Sequence, residues 1–340
     1  MLEIKCSGTP YQIGFKHGNE AKVQIERCIT FYAGQFKKNA KLDWSEVKPT
    51  ALQFEPIIKS KWPAFLEEMQ GIADGAGVDL ASVIAINVRT EITFGLFTDG
   101  CTALSWHNNR NSFLAQNWDW MPEQKQNLIN LCIAQPRKPT IKMITEAGLI
   151  GKIGLNSLGV GVCLNAIRAK GMDPHRMPCH LALRTVLESP SRSAAVAALE
   201  SSGVASSCHM LIADADGATG MEWSSTGCAK LEMDGKGRVF HTNHLLLPQE
   251  GVEDTTYLPD SFPRIERIHE LADKVEEPSV QGLKQMLRDE KGLPGSICRK
   301  EADGSIAETL FSIVMDLKGK NAVVVLGRPV EPEEEFELRF

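Results

Sequence analysis

The chain has 340 residues and a formal net charge of −6, and 43% of its residues are hydrophobic, which is enough for a packed core. Its isoelectric point near 5.8 shows no basic excess, and no apolar run reaches the ~20 residues of a membrane span, so neither a nucleic acid nor a membrane is expected as a partner. The first residues lack a signal-peptide pattern and the C-terminal Glu-Leu-Arg-Phe340 is not a peroxisomal tripeptide, so a cytoplasmic location is expected, with the peroxisome as the alternative.

Helical periodicity dominates the first hundred residues. Residues 17–37 and 50–76 carry apolar side chains at helical spacing, and Pro63 is expected to kink or restart the second of these helices. A third helix is predicted from a cap at Ser82 towards Phe94. This part of the chain is therefore expected to be mainly helical.

The pattern changes at Cys101, where short strand-like runs separated by turn residues begin. The first five predicted strands are 101–106, 112–118, 128–134, 140–145 and 152–164. The later predicted elements are helices at 178–188 and 191–201, strands at 210–213, 220–223, 229–233 and 238–241, helices at 261–274 and 279–288, and strands at 309–316, 322–326 and 335–340. This order favours an α+β fold with sheets covered by helices over an alternating parallel βαβ protein.

The junction between Gly100 and Cys101 lies at this change. The chain has nine cysteines without a Cys-x-x-Cys pair, so most are expected to be buried thiols. A glycine before Cys101 permits the backbone torsions that bring the thiolate to the carbonyl carbon of Gly100. An N-to-S acyl shift and hydrolysis would leave Cys101 as a new N-terminus that supplies both nucleophile and base. The alternative is that Cys101 only begins a buried strand.

Two other segments carry candidate site residues. A hairpin of the first two strands would bring Asp119 beside the new N-terminus, where it could orient an amine, although it could equally cap a turn. The amide of Asn243 could donate a hydrogen bond to an oxyanion or could simply form a turn. His241 and His244 have no third ligand nearby, so no metal site is predicted.

Motifs along nearly the whole chain resemble the fungal acyl-coenzyme A:isopenicillin N acyltransferase family. The matching stretches are residues 8–18 (GTPYQIGFKHG), 71–76 (GIADGA), 87–91 (NVRTE), 99–102 (DGCT), 116–119 (QNWD), 144–148 (ITEAG), 241–244 (HTNH), 296–299 (SICR) and 326–329 (LGRP). They occur in the family's order, so the chain is identified as a member, with the character of a paralogue.

The resemblance implies an αββα sandwich of the N-terminal nucleophile hydrolase type. It also implies autocatalytic cleavage into an α-subunit of residues 1–100 and a β-subunit of residues 101–340, which stay together as one heterodimer. The implied reaction exchanges the aminoadipyl side chain of isopenicillin N for an aromatic acyl group from the cosubstrate acyl-coenzyme A, without a bound cofactor. It also includes removal of the side chain by hydrolysis, which gives 6-aminopenicillanic acid. The roles carried over are nucleophile for Cys101, oxyanion donor for Asn243, contact with the penicillin nucleus for Asp119, processing for Ser224, and supporting positions for Thr102 and Ser305.

The chain departs from the family pattern in ways that bear on the substrate. Ile306 stands where the family has a substrate-binding arginine, Ala103 stands where it has a second threonine, and the peroxisomal tail is missing. Isoleucine cannot pair with a carboxylate, so weak binding of penicillins is expected unless Arg299 or Lys300 supplies the cation. Two other functions therefore stay open: an amidase for N-acyl amino acids or peptides, and a non-catalytic remnant with a structural Cys101.

Overall fold

The computed structural model describes residues 1–93, 100–253, 258–302 and 305–340. Phe94 and Asp99, named above, lie outside the described residues. The helices are α1 (Pro10–Glu20), α2 (Lys22–Asn39), α3 (Trp44–Leu52), α4 (Glu55–Lys61), α5 (Pro63–Ala76), α6 (Leu80–Asn87), α7 (Arg89–Ile92), α8 (Cys179–Glu188), α9 (Arg192–Ser202), α10 (Ser261–Ala272) and α11 (Val280–Leu287). None of the helices in these ranges combines the length and apolar character that crossing a bilayer requires.

The strands form two sheets. Their bounds are β1 (Leu2–Ser7), β2 (Gly100–His107), β3 (Ser112–Trp120), β4 (Leu128–Ala134), β5 (Ile141–Glu146), β6 (Ile153–Asn156), β7 (Gly161–Ala166), β8 (Cys208–Asp214), β9 (Gly217–Trp223), β10 (Cys228–Leu231), β11 (Arg238–His241), β12 (Glu308–Asp316), β13 (Asn321–Leu326) and β14 (Glu334–Arg339). Within the described residues, the eight-stranded sheet has the order β1-β4-β5-β6-β7-β8-β9-β10 and the six-stranded sheet the order β11-β2-β3-β12-β13-β14. Only the β1–β4 pair among these is parallel.

The two sheets pack face to face and each carries helices on its outer side. Strands β2 and β3 contact β7 and β8 across the interface between the sheets, α8 and α9 cover the eight-stranded sheet, and α10 and α11 cover the six-stranded sheet. One hydrophobic core lies between the sheets and extends under α1–α6, and a second lies between the six-stranded sheet and α10–α11. The fold is the αββα sandwich that the family resemblance implied, and it agrees with the α+β class that the order of predicted elements favoured.

Several predicted boundaries change for local reasons. The first helical region is divided at Ala21, and its first helix begins at Pro10 because Thr9 and Gln12 form a capping box. The predicted cap at Ser82 is wrong: Asp79 caps α6, and its carboxylate accepts a hydrogen bond of 2.8 Å from the Ser82 nitrogen. The predicted strand 152–164 is two strands, because the chain turns between them and Gly159 has a left-handed φ of 86°. Strand β1 was not predicted.

Buried polar contacts join the N-terminal helices to the rest of the fold. Arg184 on α8 forms a bidentate ion pair with Glu68 on α5, with N–O distances of 2.7 and 2.8 Å. Arg89 on α7 donates to Glu146 on β5 at 2.7 Å. The nitrogen of Gly148 donates to Nε2 of His17, and burial lowers the pKa of this histidine to about 3, so the ring stays neutral as the contact requires.

Helices α1 and α5 cross so closely that glycines form the contact. A Cβ atom on Gly14 would lie 1.9 Å from the backbone carbonyl oxygen of Glu68. A Cβ atom on Gly71 would lie 2.3 Å from the backbone carbonyl oxygen of Tyr11. Gly18 and Gly75 repeat this arrangement one turn along each helix. The two helix backbones therefore touch directly, and any side chain at these positions forces them apart.

Replacing Gly14 with alanine is expected to reduce the free energy of unfolding by about 1–3 kcal/mol, because α1 must shift away from α5. Gly34 on α2 is the matched control, since nothing lies within 4 Å of the Cβ position there and alanine favours a helix by up to about 1 kcal/mol. Denaturant unfolding of Gly14→Ala and Gly34→Ala measures both changes. A Gly14→Ala protein as stable as the wild type would contradict the close crossing.

Candidate active site

The hairpin of β2 and β3 brings the predicted junction and Asp119 together. Gly100 pairs with Asp119 and Cys101 with Trp118, so the end of β3 lies beside the start of β2 as the hairpin prediction required. Because side chains alternate along a strand, Cys101, Trp118 and Trp120 share the face that looks into the apolar core between the sheets. Asp119 lies on the opposite face.

Arg264 on α10 anchors the backbone of Cys101 from that opposite face. Its Nη1 donates to the Cys101 carbonyl oxygen at 2.6 Å and to the Thr102 hydroxyl at 3.1 Å. Its Nη2 donates to Oδ1 of Asn243 at 2.8 Å, and its Nε donates to Oδ1 of Asp260 at 3.0 Å. Burial and the nearby positive charge of Arg299 both lower the pKa of Arg264.

Asn243 holds the nitrogen of Cys101. Its Oδ1 accepts from the Cys101 nitrogen at 2.9 Å as well as from Arg264. Because an arginine can only donate, this contact fixes the orientation of the amide, and Nδ2 donates to the Ala166 carbonyl oxygen at 3.1 Å. An amide nitrogen has two hydrogens, so a second donor remains on the group that was predicted to bind an oxyanion.

Asp119 and Arg299 form a second charged pair next to Gly100. Oδ1 of Asp119 accepts from the Thr309 hydroxyl at 2.7 Å, and Oδ2 lies 3.4 Å from Nε of Arg299. Arg299 also donates to Oδ1 of Asp260 at 2.5 Å, so Asp260 bridges the two arginines. Burial raises the pKa of Asp119 to about 6, although Arg299 and Arg264 act in the opposite direction.

This charged pair explains why residue 100 is a glycine. A Cβ atom at Gly100 would lie 3.0 Å from Oδ2 of Asp119 and 3.1 Å from Nε of Arg299. Both distances are shorter than ordinary van der Waals contacts. The backbone of Gly100 therefore fills the space directly in front of a buried carboxylate and a buried guanidinium.

The remaining predicted residues divide between this site and other places. The hydroxyl of Ser305 accepts from Arg299 at 3.4 Å, which places it at the edge of the site. Ile306 is 48% exposed, whereas Arg299 is 3% exposed and is the cation beside Gly100. Ser224 lies in the β9–β10 turn, where its hydroxyl accepts from the nitrogens of Thr226 and Gly227.

The two histidines of the predicted segment bind to different partners. His241 contacts Oε1 of Glu222 through Nε2 at 2.8 Å, and its ring stacks on that of His209. The Nδ1 of His244 contacts the Ser261 hydroxyl at 2.7 Å. Both side chains are buried and support the loop that carries Asn243.

Sequence reasoning missed Arg264, Asp260 and Thr309. One signal was present for Arg264: it occupies the same helical stripe as Ile268 and Ala272, where a charged residue interrupts an otherwise apolar face. Thr309 and Asp260 carried no comparable signal, because their positions depend on how β12 and α10 pack against β3 and β2.

A second thiol faces the predicted nucleophile from the other sheet. Cys163 on β7 is completely buried, and β7 packs against β2. Burial raises the pKa of Cys163, and the nearby Cys101 raises it further, so this thiol stays protonated.

Sequence comparisons identify relatives over the whole chain. The family model described as acyl-coenzyme A:6-aminopenicillanic acid acyl-transferase matches residues 106–331. A protein of Emericella nidulans named acyl-coenzyme A:6-aminopenicillanic-acid-acyltransferase 40 kDa form is 40% identical over 345 residues, which cover 100% of this chain and 96% of the relative.

Solved structures show weaker similarity. Penicillin V acylase from Agrobacterium tumefaciens superposes with a TM-score of 0.44 and 16% sequence identity, and the match covers 71% of this chain and 86% of the acylase chain. A variant of conjugated bile acid hydrolase from Clostridium perfringens superposes with a TM-score of 0.49 and 12% sequence identity, and the match covers 70% of this chain and 92% of the hydrolase chain. The assignment rests on the two sequence matches: the chain belongs to the acyl-coenzyme A:6-aminopenicillanic acid acyltransferase family.

Proposed function

We propose that the chain is a self-processing enzyme in which Cys101 transfers or hydrolyses the acyl group of penicillin-type amides, with acyl-coenzyme A as acyl donor. The observation that carries the proposal is the position of Cys101. Its nitrogen is bound by Asn243, its carbonyl oxygen is bound by Arg264, and the preceding Gly100 lies against Asp119 and Arg299. A cysteine that only began a strand would need none of these charged contacts.

Maturation begins with the attack of the Cys101 sulfur on the carbonyl carbon of Gly100. The carbon–nitrogen bond breaks, the nitrogen takes up the proton that the thiol loses, and a thioester joins Gly100 to the sulfur. Water then hydrolyses the thioester, which releases the Gly100 carboxylate and restores the thiol. Residues 1–100 and 101–340 become the α- and β-subunits, with Cys101 first in the second.

Turnover uses the same atoms. The free α-amino group of Cys101 takes the thiol proton, the sulfur attacks the carbonyl carbon of an amide or of acyl-coenzyme A, and the amine or thiol leaves with that proton. Asn243 would position the α-amino group through Oδ1 and donate to the oxyanion through Nδ2. The resulting acyl-thioester passes its acyl group to an amine in transfer or to water in hydrolysis.

The charged face of β2 and β3 is suited to the amine half of the substrate. When Gly100 withdraws, the space in front of Asp119 and Arg299 opens. A guanidinium can bind the carboxylate of a 6-aminopenicillanic acid nucleus, and the neighbouring carboxylate can bind its amine. This arrangement supports Arg299 as the cation that replaces the family arginine at position 306, with Ser305 beside it.

Purified wild-type protein is expected to consist of two chains of about 11 and about 26 kDa, in proportion to their 100 and 240 residues of a 37.4 kDa total. Cys101→Ala is expected to remain a single chain, because no thioester can form. Cys163→Ala is the matched control, since it removes the facing buried thiol and leaves cleavage intact. Intact-mass spectrometry distinguishes these outcomes, and a wild type that stays uncut would contradict self-processing.

Arg299→Ala is expected to raise KM for 6-aminopenicillanic acid by about 10–100-fold, the effect of losing a charged hydrogen bond. Ile306→Arg is expected to change KM by less than about threefold, because side chain 306 points to solvent. Arg299→Lys keeps the positive charge but loses the planar guanidinium, so its KM should lie between those of the wild type and Arg299→Ala. Steady-state kinetics on cleaved protein measures these KM values. A larger change of KM in Ile306→Arg than in Arg299→Ala would assign the binding of the carboxylate to position 306.

The pH dependence of amide hydrolysis should show the titration of Asp119. Its carboxyl group is ionised only above a pKa of about 6, so the charge that orients Arg299 is lost as the pH falls through this value. The α-amino group of Cys101 must be neutral to act as the base, and its reference pKa is about 7.7–8.0, so kcat/KM also falls as the pH drops below this range. Each group that must be deprotonated contributes a slope of one to a plot of log kcat/KM against pH. We therefore expect a slope of one between about pH 6 and 7.7 and a slope of two below about pH 6 in the wild type, whereas the slope in Asp119→Asn should stay at one. An identical profile in both proteins would remove Asp119 from this role.

A further inference from the structure

The apolar face of β3 borders a small cavity that the chemistry described so far does not use. Trp120 lines this cavity on the same face as Trp118, the residue paired with Cys101, and two residues along a strand span about 7 Å. Ala166 lines it from β7, and its carbonyl oxygen accepts the hydrogen bond from Asn243. The cavity therefore lies on the same face of the hairpin as the Cys101 side chain, about two strand residues away, and on the side opposite Asp119 and Arg299.

The walls of the cavity are mostly apolar and buried. The apolar part of the wall consists of Trp120, Leu164, Ala166, Ile167 and the thiols of Cys179 and Cys208. The hydrogen bond with Cys179 raises the pKa of Cys208, and burial raises it further, so this thiol is neutral at physiological pH. This apolar part of the wall favours hydrocarbon, and the guanidinium of Arg89, which also lines the cavity, disfavours a cationic amine.

Four polar residues, Arg89, Thr90, His180 and Ser207, interrupt this apolar lining. Ser207 is 3% exposed, it lines the cavity, and its hydroxyl oxygen has no hydrogen-bond partner within the described ranges. A buried hydroxyl is costly without a partner, so a water or an oxygen of a bound molecule is expected to complete it.

We propose that this cavity binds the far end of the acyl group attached to Cys101, and that it selects short acyl chains, with a preference for those that carry an oxygen near the tip. The inference rests on the proposed function, since it names the acyl half of that substrate. The cavity measures about 30 Å³. One water needs ~10–15 Å³, and a cavity that admits benzene measures ~150 Å³. The cavity is therefore too small for an aromatic acyl group unless a side chain of its wall is shortened.

The two faces of the hairpin thus bind the two halves of one amide. The acyl half enters the apolar layer between the sheets, towards Trp120 and Ile167. The amine half occupies the charged layer beside Asp119 and Arg299. The scissile bond lies at the start of β2, where these layers meet.

The test uses butanoyl and phenylacetyl amides of 6-aminopenicillanic acid, which share the amine half and differ only in the acyl group. Wild type is expected to hydrolyse the butanoyl amide with a kcat/KM at least tenfold higher. Ile167→Ala removes part of the wall and should raise the phenylacetyl-to-butanoyl ratio at least tenfold. Ile133→Ala is the matched control, because this equally buried isoleucine on β4 does not line the cavity and the ratio should stay constant.

Ser207 is tested with a pair of amides of equal length, 4-hydroxybutanoyl and pentanoyl. We expect the hydroxylated chain to be preferred at least fivefold by the wild type and the two to be equal in Ser207→Ala. Should Ile167→Ala fail to fold, Ile167→Val removes a single methyl group and should change the first ratio in the same direction.

The possible failures are distinguishable. A wild type that is neither cleaved nor active on any of these amides would overturn the proposed function. A cleaved and active wild type that prefers phenylacetyl, or whose acyl preference is the same in Ile167→Ala and Ile133→Ala, would overturn the acyl cavity and leave the function standing. Equal use of the hydroxylated and pentanoyl chains by the wild type would overturn the role of Ser207.

Discussion

The contact of Arg264 with the start of β2 organises the site. This guanidinium binds the carbonyl oxygen of Cys101, the amide oxygen of Asn243 and the carboxylate of Asp260, so it fixes the backbone of one residue and the side chains of two others. An arginine buried in this way is stable only when its donors are satisfied. The loop before α10 and the loop that carries Asn243 therefore have to meet at this point for the fold to close.

The position of β2 inside the sandwich gives each face of the hairpin a different environment. One face packs against the opposite sheet, where dispersion and the hydrophobic effect dominate. At the start of β2, the other face packs against α10 and the segment around Arg299, where ion pairs dominate, and further along the hairpin it packs on the second hydrophobic core. Without α10 and α11 over the sheet, the charged face would lie in water and its charges would be screened. The covered position keeps electrostatic interactions at the site strong.

The sequence predicted the parts of this arrangement that depend on local interactions. Turn residues between short apolar runs located most strands, and a hairpin register is local enough to place Asp119 beside Gly100. Strand β1 escaped prediction because its partner is distant in sequence: Leu2 pairs with Ile129, and only tertiary packing selects that pairing. The contacts of Arg264 and Thr309 are equally non-local. The position of Ile306 also needed the structure, since nothing in the sequence shows that its side chain points to solvent while that of Arg299 points inward.

The ion pairs and hydrogen bonds that tie residues 1–93 to the rest of the fold have a consequence for assembly. The pairs Glu68–Arg184 and Arg89–Glu146 are completely enclosed, so neither partner could be buried alone without a large penalty. While both partners belong to one chain, covalent linkage supplies a high effective concentration and the association entropy is not a separate cost. Two halves made separately would have to desolvate these charges in a bimolecular encounter. Under the proposed self-processing, a chain cut only after folding would reach an assembled state that its separate pieces would reach slowly, and the uncut form would serve as the template for the heterodimer.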